Sequence, residues 1–193
     1  MLLPLCALLF KASGIGLSQL GMILSSPRTL AALRVTLTMA FAATVFNAIY
    51  GLLLAWALAR YEFPGKRLLD ALVDIPFALP TAVAGLALTA LFAKNGWFGA
   101  PLEHIGLSVA YTPLGIAIAM AFTSLPFIVR TLQPVMEELD GEIEEAARTL
   151  GAGKVTIFFR VVLPLVRSAM AAIAVLVFTF VWNDYFWSLV MTH

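Results

Sequence analysis

From Val35 to Ala59 the chain runs for 25 residues without a single charged side chain. At 1.5 Å rise per residue, a helix of that length exceeds the ~30 Å hydrocarbon core of a bilayer. No soluble fold accommodates such a run easily, so a transmembrane helix is predicted there. Asn47 falls mid-run, where an amide is expected to bond to a neighbouring helix. Further apolar runs share the chain with it. Ala71–Ala93 is interrupted by Asp74, Pro76, Pro80 and Gly85; Thr112–Val129 contains Pro126; Ser168–Val190 carries Asn183 and Asp184 near its end; Met1–Phe10 is a partial span. Only 12% of residues are charged and mean hydropathy is +0.97, against about a quarter charged in soluble domains. The predicted fold class is an all-α, polytopic membrane protein forming a single transmembrane domain over residues 1–193.

The termini carry their own expectation. Met1–Phe10 lacks a basic n-region and a small-residue cleavage site, so it reads as the distal end of a membrane helix rather than a signal peptide. His193 directly follows an apolar run. Both ends suggest a fragment lacking part of the first helix and a C-terminal helix.

Loop charge sets the orientation. Alternation places Lys11, Arg28, Arg34 and Lys94 on one side, with Arg60, Lys66, Arg67, Arg130, Arg148, Lys154, Arg160 and Arg167 on the other. The positive-inside rule makes the second side cytoplasmic.

Several functions are disfavoured. A net charge of +1 points to no nucleic-acid partner. One cysteine, Cys6, excludes an internal disulfide and a cysteine-based metal cluster. His104 and His193 stand apart, so no metal set is expected. Asp74 and Asp184 are predicted at opposite membrane depths, which argues against a paired-carboxylate protease. No glycine-rich phosphate loop is present, so ATP is not expected to bind here. Asp74 through Gly85, including Pro76, Pro80 and Thr81, reads as a pathway-lining hinge, because broken helix in a membrane is tolerated against protein or a water-filled cavity. An ordinary kinked packing helix fits the same residues. Asp184 is a functional candidate as an intramembrane carboxylate, although Trp182, Tyr185 and Trp187 also suit an interfacial aromatic belt.

The longest polar interval, residues 137–164, contains six of the eleven acids: Glu137, Glu138, Asp140, Glu142, Glu144 and Glu145. Glu137–Leu150 is predicted as a short helix with acids in its first turns and Arg148 near its end, as the helix dipole favours. Ala146, Ala147 and Leu150 make a small apolar patch, and Gly151 supplies a stop. A second helix is predicted from Lys154 towards Leu163-Pro164. Such a segment can insert into a groove of a cytoplasmic partner; a solvated amphipathic loop has the same periodicity.

Glu145-Ala146-Ala147, three residues, Gly151, nine residues, Val161, one residue and Leu163-Pro164 resemble the EAA signature of permease subunits of binding-protein-dependent ABC importers. Val161 stands where isoleucine is usual. The resemblance implies a type I importer (MetI-like) fold in a bacterial inner membrane. It also implies a coupling helix in which Glu145 makes a polar contact, Ala146 and Ala147 permit close approach, and Gly151 forms the turn. The implied partners are a cytoplasmic ABC ATPase dimer that binds ATP and Mg, a second permease subunit forming a heterodimer, and a periplasmic solute-binding protein. Arg60–Gly99, Tyr111–Leu139 and the EEAARTLGA run are most similar to sulfate/thiosulfate-type permeases. The last span departs: an Arg followed by Gly-Glu-aromatic-Gly is replaced by Phe180 and then Asn183-Asp184-Tyr185-Phe186, and FTFVWNDYFWSLVMT resembles carbohydrate-type permeases. Sulfate or thiosulfate transport is therefore the leading expectation. A carbohydrate or molybdate permease and a non-transport membrane scaffold remain the alternatives.

Overall fold

The computed structural model describes residues 16–139 and 141–191, with the side chains of Leu17, Leu20, Ile23 and everything from Asp184 onward outside the described set. The partial span at 1–10 therefore lies outside the described residues. Among the described residues the chain is helical throughout, with no strand. It divides into two compact units, Met1–Thr38 and Met39–His193.

In the first unit, α1 (Leu17–Leu24) is followed by the start of α2 (Pro27–Arg60). Ser26 caps α2, its Oγ accepting from the Thr29 amide at 3.2 Å, and Pro27 occupies the first helical position, where its missing N–H costs nothing. Arg28 and Arg34, grouped in the sequence with the loop charges, thus lie within a helix. A cap and a helix-starting proline open the helix eight residues before the apolar run.

The second unit holds the rest of α2 and the remaining helices. On α2, Ala40, Ala43, Thr44, Asn47, Gly51 and Ala55 repeat every three or four residues and are all buried. Small residues on one helix face let a second backbone come close. That neighbour is α6 (Pro113–Glu138). Asn47 Nδ2 donates to the Ala121 carbonyl and to Ser124 Oγ, both at 2.8 Å. Gly51 is needed as glycine, because a Cβ there would lie 2.5 Å from Cγ2 of the fully buried Ile128.

The apolar run Ala71–Ala93 is not one rod. It comprises α3 (Lys66–Ala78) and α4 (Thr81–Phe92), bent by 116°. Pro80 is the cause: it removes a backbone donor and holds Leu79 in extended geometry, φ −103° and ψ 128°. Pro76 remains inside α3. A connection containing α5 (Gly99–His104) leads to α6. There, the Ser108 hydroxyl at 2.9 Å and then the Lys94 ammonium at 3.3 Å hold the Glu103 carboxylate below its ordinary pKa.

α6 extends nine residues beyond the expected end at Val129. After it come α7 (Gly141–Thr149), α8 (Lys154–Ile157), a π-helical turn at Phe158–Val162, and α9 (Leu163–Met191). The last span was expected from Ser168, but the helical path is continuous from Lys154. Pro164 lacks an N–H, and the widened π turn immediately before it absorbs the lost bond without stopping the helix. Three described helices are long and apolar enough to cross a membrane, at Pro27–Arg60, Pro113–Glu138 and Lys154–Asn183, or four if the bent α3–α4 pair is one span.

Candidate functional site

The expected single helix Glu137–Leu150 is broken. α6 stops at Glu138, Leu139 is extended (φ −66°, ψ 130°), and α7 restarts at Gly141. The break is held by Arg60, the last residue of α2. Its Nη2 donates to the Leu139 carbonyl, and its Nε donates to Glu144 Oε1 at 2.9 Å. A cation at the carbonyl end of α6 complements that helix's dipole. Both side chains of the ion pair are largely withdrawn from solvent, Arg60 at 16% exposure and Glu144 at 7%. Glu144 also faces Arg148 one turn on, at 3.9 Å. Glu144 sits among five other acids in sequence; nothing local marks it as the inward one.

α7 ends in a Schellman turn. Gly151 adopts φ +85°, a left-handed geometry that disfavours any residue with a Cβ. The Gly151 amide donates to the Arg148 carbonyl at 2.9 Å, and the Ala152 amide reaches back to the Ala147 carbonyl at 3.0 Å. Ala147 and Ala152 are half-buried against the core, the apolar contact this motif favours. The opposite face of α7 points outward. Ile143, Glu145, Ala146 and Leu150 are exposed, Leu150 at 88%. Ile143, Ala146 and Leu150 follow helical spacing, so an otherwise acidic helix presents an apolar stripe to solvent.

Beyond Gly151 the chain is anchored by aromatics. Lys154 Nζ lies 5.0 Å from the centre of the Tyr61 ring, within cation–π range. Trp56 packs edge-on against Tyr61 at 5.2 Å and beside Phe158 at 5.0 Å. Val161 and Leu163 are half-buried against the core, while Pro164 is exposed at the head of α9.

Of the hinge candidates, Asp74 has a partner that sequence reasoning missed. Asp70 and Asp74, one turn apart on α3, both grip Arg130 of α6. Arg130 Nε and Nη2 donate to the two Asp74 oxygens at 2.8 and 2.6 Å. Nη1 donates to Asp70 Oδ1 at 2.7 Å and to Gln133 Oε1 at 2.9 Å, and Nη2 also reaches the Asp70 carbonyl at 3.1 Å. These five bonds match the five N–H donors of a guanidinium, so Arg130 has none left. Asp74 thus fastens α3 to α6. Pro76 is half-buried, and Pro80 and Thr81 are exposed at the bend. Close by, Phe77 packs edge-on to Phe127 at 4.9 Å and Phe127 lies 4.7 Å from Phe180. Phe180, noted in the sequence as a replacement for a cation, therefore completes an aromatic row joining α3, α6 and α9. The Asp184 backbone lies in α9, but its side chain lies outside the described residues. Two grooves of about 400 and 460 Å³ lie beside α6; their linings include Thr89, Tyr111, Thr112 and Asn47 and no charged side chain. Among the described residues, no group of three His, Cys, Asp or Glu side chains could hold a metal.

Bilayer-length apolar helices, a proline-bent helix pair and a polar helix with an outward apolar stripe define an all-α, multi-pass membrane protein. Residues 49–192 match the family described as "binding-protein-dependent transport system inner membrane component", and the chain belongs to that family. It is 54% identical over 179 residues to the sulfate transport system permease protein CysT of Salmonella typhimurium, covering 93% of this chain and 65% of that protein. The identity to CysT of Escherichia coli is likewise 54% over 179 residues. CysT of Synechocystis is 48% identical over 164 residues, 85% of this chain and 57% of that protein. The chain thus spans just under two thirds of the length of the two enterobacterial relatives.

Proposed function

We propose that this chain is the transmembrane permease subunit of an ATP-driven importer that passes sulfate or thiosulfate, received from a periplasmic solute-binding protein, across the bacterial inner membrane. It works beside a second permease subunit and above a cytoplasmic ATPase dimer, and ATP and Mg belong to that ATPase. No catalysis is assigned to this chain. The observation that carries the reading is α7. It lies within the family match, displays Ile143, Ala146 and Leu150 outward, and ends on the left-handed Gly151. An exposed apolar stripe on a short rigid helix is suited to a groove in a partner. On this reading Glu145 makes the polar contact at the rim of that groove. Ala146 allows close approach, Ala147 locks the Schellman turn from inside, and Leu163-Pro164 carry the movement into α9.

The cargo assignment is supported by the sulfate permeases among its relatives. Arg130 is already saturated by Asp70, Asp74 and Gln133. Sulfate recognition inside the membrane is therefore assigned to neutral donors such as Thr89 and Tyr111 in a groove beside α6. A carbohydrate cargo is the second reading, favoured by Phe180 in its aromatic row.

Gly151→Val strains the left-handed turn, and Glu145→Lys reverses the charge on the docking face. Both variants are expected to reach the membrane, lose co-purification of the ATPase and lose sulfate uptake. Unchanged co-purification and uptake in both would remove α7 from the coupling role.

A further inference from the structure

We infer that Arg60 is a positioning residue that fixes the angle of α7, so that the coupling helix moves with the end of α2 instead of swinging on the Leu139 break. The inference rests on the permease reading above and concerns residues outside the signature itself. Leu139 leaves helical geometry (φ −66°, ψ 130°) between the end of α6 at Glu138 and the start of α7 at Gly141, so the two helices are not one continuous rod and the junction can act as a hinge. A free hinge there would let an ATPase move α7 without moving the membrane helices. Arg60 spans the gap. One arm of its guanidinium takes the Leu139 carbonyl just past the end of α6, and another takes Glu144 in the first turn of α7.

Burial makes that link stiff. Glu144 is 7% exposed and its other cation, Arg148 at 3.9 Å, rides on α7 itself, so a tilt of α7 away from α2 takes the nearest partner, at 2.9 Å, from a carboxylate with little access to water. The Arg60 end is itself fixed. The next residue, Tyr61, lies under the Lys154 ammonium and against Trp56, which packs on Phe158. The two sides of α7 are thereby tied to one point, through Leu139 and Glu144 before the Schellman turn and through Lys154 after it. A push on the exposed stripe of α7 is carried directly to the base of α2 and to the π turn leading into α9. This accounts for the inward-facing acid at 144 beside the outward-facing Glu145.

The test uses the complete importer in proteoliposomes, with labelled sulfate uptake and ATP hydrolysis read in the same vesicles. Arg60→Gln, Glu144→Gln and the double variant are compared with the wild type. Each single variant is expected to retain ATPase binding and ATP hydrolysis while sulfate delivered per ATP falls at least about fivefold, the size of an ordinary coupling free energy. The double variant should be no worse than either single one, because the two residues act as a pair. Spin labels at Thr149→Cys and Arg67→Cys, in a Cys6→Ser background, should show a broader distance distribution in Glu144→Gln than in the wild type. A wild-type sulfate-to-ATP ratio in the single variants, losses that multiply in the double variant, or an unchanged distance distribution would each overturn the inference. Wild-type vesicles that take up no sulfate would instead overturn the cargo assignment, with the spin-label distances still deciding on Arg60.

Discussion

Arg60 and Arg130 both fasten one helix to another, but they do so in opposite regimes. Arg130 uses all five donors on Asp70, Asp74 and Gln133, yet its side chain is 30% exposed and Asp74 is 49% exposed. Arg60 makes fewer bonds, to Leu139 and Glu144, in a setting almost closed to water. The number of contacts therefore ranks the two the wrong way. An exposed network exchanges its partners for water at low cost, and pairs of this kind contribute about 0–1 kcal/mol. A buried ion has no such exchange, and stranding one costs about 3–5 kcal/mol. The partly exposed Arg130 cluster is therefore the easier of the two contacts to open, and the Arg60 link the costlier to break.

The largest effect should follow from breaking the buried side. Glu144→Leu leaves Arg60 buried without its carboxylate, and the protein in detergent should lose about 3–5 kcal/mol of stability, read as a lowered thermal midpoint. A loss below about 1 kcal/mol would place the pair in the same class as the exposed cluster. A smaller effect is expected from the packing that carries Arg60. Gly51→Leu drives a side chain into Ile128, which has no free space to move into, and overpacking of this kind costs about 1–3 kcal/mol. The expected companion effect is a weaker Asn47–Ser124 contact between α2 and α6. Asp74→Asn should have the smallest effect, under about 1 kcal/mol, because Asp70 still holds Arg130. Its effect should shrink further at high salt, while that of Glu144→Leu should not, since screening reaches exposed pairs far more than buried ones.

Much of this architecture was readable before any coordinates. The uncharged run at Val35–Ala59 lies within α2, Pro80 marks the bend, Gly151 turns the chain with φ +85°, and Lys154 opens the next helix. The first three depend on local rules: charge-free length, a missing donor, a left-handed residue. The two clasps obey no local rule. Glu144 lies 84 residues from Arg60, and Asp70 lies 60 residues from Arg130, so only the helix packing brings them together. Helix ends were misplaced for the same reason. Arg130 looked like the end of an apolar span, but its charge is met by α3 and α6 simply continues to Glu138. One long-range signal was available and not used. The small residues Ala40, Ala43, Thr44, Asn47, Gly51 and Ala55 repeat at helical spacing and mark the face on which α6 approaches.

The most direct measurement is uptake of labelled sulfate by a sulfate-auxotrophic bacterium that lacks its own permease. The host would express this protein together with its partner permease, ATPase and binding protein. The account predicts that uptake is restored, competed by unlabelled thiosulfate but not by a disaccharide, and abolished by Gly151→Val. Assembly of the complex with no sulfate uptake, or uptake competed by a sugar instead, would contradict it.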